Sequence, residues 1–160
     1  MPEYQNNSKT HLDLEEVSSV IETILVALDG SELSEQVLDT LNEITLQPTT
    51  KVILSHVMSP PETDVEWAAD RPHVNSEELP YRQIEKQLQV YQANLPCQTE
   101  LEIVTGDPAE EIIRLANIYH TDLIVIGNRG LTGMKRILQG SVSSQVVSEA
   151  PCSVLVVKPK

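Results

Sequence analysis

Five short apolar runs, separated by stretches of helical periodicity, constrain this chain more than any other feature. They occupy residues 24–28, 52–57, 101–104, 123–127 and 153–157. Four of them are nearly continuous rather than alternating, which predicts strands covered on both faces, as in a parallel sheet. The third, Leu101-Glu102-Ile103-Val104, is mixed and is expected at a sheet edge. Between the runs, residues 32–44 set Leu33, Val37, Leu41 and Ile44 at helical spacing, and Ile84, Leu88, Tyr91 and Leu95 repeat the pattern. A third helix is signalled by Asp107-Pro108-Ala109-Glu110, an N-cap Asp followed by Pro at N1 and Glu at N3. It continues through Ile112, Ile113, Ala116 and Tyr119. The fourth spans residues 141–149 and stops at Ala150-Pro151. The order βαβαβαβαβ predicts an α/β fold: an open, doubly wound, five-stranded parallel sheet with helices on both faces, Rossmann-like in kind.

At 160 residues the chain is long enough for one domain with a proper core. That domain is expected over residues 20–160. Residues 1–19 are polar, lack a buried-face pattern, and are expected to form a flexible N-terminal tail. With no Phe and one Trp, the core must be aliphatic. A formal net charge of −13 argues against general binding to nucleic acid or to anionic membranes. No run approaches the roughly 20 apolar residues that span a bilayer. The N-terminal stretch has no apolar signal segment, so a cytoplasmic location is the expectation. Cys97 and Cys152 make no disulfide framework and read as structural; Cys152, opening an apolar run after Pro151, reads as a small buried hydrophobe. Residues 58–80 hold Pro60, Pro61, Pro72 and Pro80 with little periodicity, as in a surface excursion or a functional loop.

In a doubly wound sheet, ligands sit beyond the carboxyl ends of the strands. Asp29-Gly30-Ser31-Glu32 follows the first run, and His56-Val57-Met58 closes the second. After the fourth comes the most unusual text in the chain, residues 127–144, which holds four of the six glycines. Its spacing is Gly127-x2-Gly130-x9-Gly140-Ser141. Glycines let backbone amides close on an anion, and a helix opening at Gly140-Ser141 would turn its amides and dipole to a phosphate. Ser141, Ser143 and Ser144 could add hydroxyl donors. Residues 123–148 contain no Asp or Glu, where average composition would place about four, and Arg129, Lys135 and Arg136 make the stretch basic. The same glycines could instead serve only tight turns and helix packing. Neither a Walker A loop nor Gly-x-Gly-x-x-Gly is present. Asp29 could touch a ligand or merely cap the first helix. His56, inside an apolar run, reads as a packed histidine rather than a catalyst, and the scattered histidines have no metal-site spacing.

The glycine spacing resembles the nucleotide-binding signature of the universal stress protein family, Gly-x2-Gly-x9-Gly-Ser/Thr. The likeness extends to Ile24-Leu25-Val26-Ala27-Leu28-Asp29-Gly30-Ser31, Ser55-His56-Val57, Gly106-Asp107-Pro108 and the closing stretch from Ala150 to Val157, so it covers residues 22–158. The resemblance implies membership of the subgroup that keeps this signature and binds ATP, with Mg2+ arriving on the triphosphate. It further implies that Ala27, Leu28 and Asp29 line the ribose and adenine, and that Val57 meets adenine through its backbone. Gly127, Arg129 and Gly130 would border ribose and phosphates. Gly140, Ser141, Val142 and Ser143 would hold the phosphates; Ser143 stands where Thr also occurs in the family, and the hydroxyl survives that change. A homodimer joined through the last strand, acting as an ATP-dependent switch on a protein client in the stress response, is the implied function. Two other readings stand beside it. One is a slow ATPase or phosphotransferase, for which the sequence offers no clear group to orient water. The other is a protein-interaction module with a vestigial loop.

Overall fold

The computed structural model describes residues 21–44, 46–60, 78–128 and 142–160. Nine elements alternate along them: β1 (Thr23–Ala27), α1 (Glu32–Glu43), β2 (Lys51–Met58), α2 (Glu78–Ala93), β3 (Gln98–Thr105), α3 (Pro108–Ile118), β4 (Leu123–Gly127), α4 (Val142–Glu149) and β5 (Ser153–Val157). The strands form one sheet in the order β3-β2-β1-β4-β5. Every neighbouring pair is parallel. The expected α/β, doubly wound sheet is what the chain builds.

Side-chain alternation explains why both faces are covered. Ile24, Val26, Val52, Leu54 and Val125 point to one face, where Leu33, Val37, Leu38 and Leu41 of α1 and Leu88 of α2 bury them. Leu25, Ile53, Ile124 and Ile126 point the other way, onto Ala109, Ile112, Leu115 and Ala116 of α3 and Val146 of α4. Each face thus carries two helices. Right-handed crossovers require this, because the chain runs outward from β1 to β3 and then returns to lay β4 on the opposite side of β1.

Some boundaries differ from those read off the sequence. β3 is twice the length of its apolar run, since its partner β2 extends the ladder from Lys51↔Gln98 to Met58↔Thr105. Its outer polar residues are accommodated because β3 is an edge strand, as expected. There Lys51 Nζ lies 2.7 Å from Glu100 Oε1 and 5.0 Å from the centroid of the Tyr119 ring. The Tyr119 hydroxyl donates to the Glu102 carboxylate, which holds the phenol protonated well above its ordinary range. α2 ends at Ala93 rather than reaching Leu95, because Leu95 precedes Pro96 and such a residue is driven out of helical backbone. Leu95 still packs against the α1–α2 core. The start of α3 follows the sequence closely: Asp107 Oδ1 accepts from Ala109 N at 3.0 Å and Glu110 N at 3.1 Å. Among the described residues no helix is long and apolar enough to cross a membrane.

Candidate functional site

The strand order places the switch point between β1 and β4, where the direction of the windings reverses; in doubly wound sheets the ligand crevice lies beyond the strand ends at this point. β1 stops short. Its ladder with β2 ends at Ala27↔Ser55, while β2 continues to Met58. Leu28 N donates to Ser55 O at 2.9 Å, so the peptide groups of Ser55 face β1. Alternation turns those of Val57 to the same side, where β1 no longer runs. Met58 faces away, accepting from Gly106 N. On the far side of β1, Asn128 N donates to Val157 O at 2.7 Å, so Asn128 faces β5 and the Gly127 peptide faces the β1 side. The end of β1 is thereby flanked by backbone polar groups of β2 and β4.

The turn leaving β1 stands beside the switch point. Gly30 has φ of 78°, a left-handed conformation that side chains disfavour. The turn is drawn together by Asp29, whose Oδ1 accepts from Ser31 N at 2.9 Å, Ser31 Oγ at 2.5 Å and Ser34 Oγ at 3.2 Å. Ser34 Oγ in turn accepts from Gly30 N at 3.1 Å. Ser31 occupies the N-cap of α1 but makes no capping bond with its own side chain. Asp29 therefore gathers the turn ahead of α1 without capping the helix: the N-cap is Ser31, and the bonds of Asp29 reach Ser31 N and the two serine hydroxyls rather than an amide of the first helical turn.

The other residues singled out from the sequence divide by what their side chains do. Leu28 is buried in the α1–α2 core, so only its backbone can border the crevice. Ala27 and Val57 are half-buried and pack towards α3 and α4. Gly127 has a packing task of its own: a Cβ there would lie 2.7 Å from Leu33 Cδ2 and 2.9 Å from Leu33 Cγ. Its missing side chain lets α1 settle onto β4. At the start of α4, Val142 is exposed, whereas Ser143 is buried and engaged in interactions of its own. Arg129, Gly130, Gly140 and Ser141 lie outside the described residues.

Two residues that sequence reasoning did not assign to the site also reach the turn. The position of a Gly30 Cβ lies 3.9 Å from His56 Cε1 and 3.8 Å from Gln87 Oε1. His56 is half-buried, and its burial lowers the imidazole pKa below the ordinary 6.5; the Leu28 backbone and the Asp29 charge pull it partly back up. The place of His56 next to Val57 at the end of β2 was a usable signal. Gln87 had none, since only the packing of α2 over the turn brings it there. Among the described residues, no group of acidic, His or Cys side chains could hold a metal ion.

Comparison with known proteins finds relatives of the same family and fold. The profile of the universal stress protein family matches residues 21–158. A universal stress protein of Synechocystis sp. is 29% identical over 150 residues, covering 84% of this chain and 96% of its own. Among solved structures, the protein MJ0577 of Methanocaldococcus jannaschii superposes with a TM-score of 0.66 at 28% identity, over 88% of this chain and 97% of that one. A universal stress protein solved in complex with cAMP gives a TM-score of 0.65 at 25% identity, over 86% of this chain and 97% of that one.

Proposed function

Since this chain belongs to the universal stress protein family, we propose that it binds ATP at the β1–β4 switch point and acts as a nucleotide-dependent regulatory switch in the stress response. The observation that carries the reading is the early end of β1 at the switch point, opposite Ser55, while its neighbour β2 runs on to Met58. There the Val57 and Gly127 peptides face the space beyond Ala27, and the Gly-x2-Gly-x9-Gly-Ser text departs from β4. A backbone N–H and C=O on one side of Val57 match the acceptor and amino-group donor on the edge of an adenine ring. Asp29 carries carboxylate oxygens that suit ribose hydroxyls. A relative solved with cAMP supports an adenine nucleotide as the ligand class.

The triphosphate falls to residues 129–143 in this reading. Gly130 and Gly140 let amides approach, Ser141 donates its hydroxyl, Arg129 supplies charge, and Val142 contributes its amide at the opening of α4. Ser143, buried and already engaged in interactions of its own, acts by supporting the helix start and offers less as a free donor. Mg2+ would accompany the phosphates, held by their oxygens and water rather than by a protein carboxylate cage. The protein works as a cytoplasmic homodimer joined at β5, with occupancy of the crevice altering its contact with a protein client.

Mass spectrometry of small molecules released from denatured protein should find an adenine nucleotide, and calorimetry should show ATP binding. Gly140→Val should remove most of that affinity with the fold intact. No binding at millimolar ATP, or normal binding by Gly140→Val, would replace this reading with an interaction module whose glycines serve packing.

A further inference from the structure

We propose that His56 is a positioning residue for the crevice: neutral, it steadies the β1–α1 turn, and protonated, it draws on the Asp29 carboxylate and weakens ligand binding. The proposal rests on the ATP-site reading above and adds a regulation to it.

Three observations converge. The imidazole interacts with the Leu28 backbone, at the residue where β1 gives way to the turn. It lies against Gly30, whose left-handed backbone makes the turn conformation specific. It also feels the charge of Asp29, the residue that gathers Ser31 N, Ser31 Oγ and Ser34 Oγ onto one oxygen. One side chain thus bonds the Leu28 backbone, lies against Gly30 and feels the charge of Asp29, the three residues of the turn that follows β1.

The surroundings make the effect of a proton readable. From β3 the residue opposite His56 is Ile103, which is apolar. From α2 comes Gln87, uncharged and hydrogen-bonded to the Tyr91 hydroxyl at 2.9 Å. Among the described residues, the charge that acts on the imidazole is that of Asp29. Burial keeps the neutral form at rest near neutral pH. In acid, a cation forms beside a carboxylate that already serves two serines. The Coulomb attraction in this half-buried place competes with those serine bonds and with any hydroxyl a ligand presents to Asp29. Linkage requires the reverse effect too: a ligand that engages Asp29 must lower the pH at which His56 titrates.

Adenosine is the probe, because it carries no phosphate that titrates in the range of interest. Wild-type affinity should fall about fivefold between about pH 8 and about pH 5.5, at the low end of usual site-to-site coupling. His56→Gln keeps a donor for the Leu28 carbonyl and should bind as tightly as wild type does at high pH, without the slope. NMR on the wild type removes dependence on any variant's folding: the Gly30 amide should shift with the His56 imidazole, and adenosine should move their common midpoint to lower pH. A flat wild-type profile, an undiminished slope in His56→Gln, or a Gly30 amide indifferent to His56 would each overturn the proposal. Absence of adenosine and ATP binding at every pH defeats the ATP-site reading instead. In that case the coupled titration of His56 and Gly30 still decides whether His56 governs the turn.

Discussion

At the scale of single residues, two positions in the crevice carry more structure than their place in a binding signature requires. Gly127 is needed by α1, because a methyl group there would stand 2.7 Å from a buried leucine side chain. Gly127→Ala should therefore lower stability by about 1–3 kcal/mol in denaturant titration, the usual cost of overpacking a filled core. A stability unchanged by that substitution would mean Leu33 has room to move. His56 has a second consequence besides ligand coupling. Its folded pKa lies below the unfolded value of 6.5, so the folded chain binds fewer protons than the unfolded one in that region. The stability this provides is complete above 6.5 and is lost as pH falls through the lower folded value. Thermal melts of wild type against His56→Gln should show the wild type losing more stability on acidification. Sequence reading captured the type of these residues and missed their partners. A histidine in an apolar run looks the same whether it packs against leucines or against a functional turn.

At the scale of elements, the outermost strands behave differently. β3 shields its outer part with Lys51, Glu100, Glu102 and Tyr119, an edge blunted by charge. β5 has no such cover in its sequence, Ser153-Val154-Leu155-Val156-Val157. Val157 faces β4 through its bond with Asn128 N, so alternation turns the peptide groups of Val154 and Val156 to the open side. An apolar edge with outward donors and acceptors favours pairing with a second copy. Val156→Lys places a charge on that edge, and its ammonium can reach solvent although the Val156 side chain packs partly against the α3–α4 core. Light scattering should find monomers with native circular dichroism; a dimer that survives the change has its interface elsewhere. The edge character of β3 was legible in its mixed composition. Its full length was not, since the register with β2 draws Gln98-Thr99-Glu100 into the ladder against their local character.

At the scale of the whole molecule, the domain is anchored from residue 22 onward. Asp122 Oδ2 accepts from Glu22 N at 3.0 Å and Thr23 N at 2.9 Å, and Lys51 N donates to Glu22 O at 2.7 Å. A chain lacking residues 1–19 keeps all these bonds, so its stability should remain within about 1 kcal/mol of the full chain in denaturant titration. A larger loss would show that the tail packs on the domain. The number, type and order of the elements were determined by the sequence itself. Helical and strand periodicity are set by which side of the backbone each neighbour takes, and neighbours are what a sequence displays. The same holds for the Asp107 cap and for the position of the glycine-rich text directly after β4. Strand order, the early end of β1 relative to β2, the approach of His56 and Gln87 to Gly30, and the use of Gly127 by α1 were decided only in three dimensions. Each depends on which distant segments meet, and that follows from burying two aliphatic faces at once, a condition no local window of residues contains.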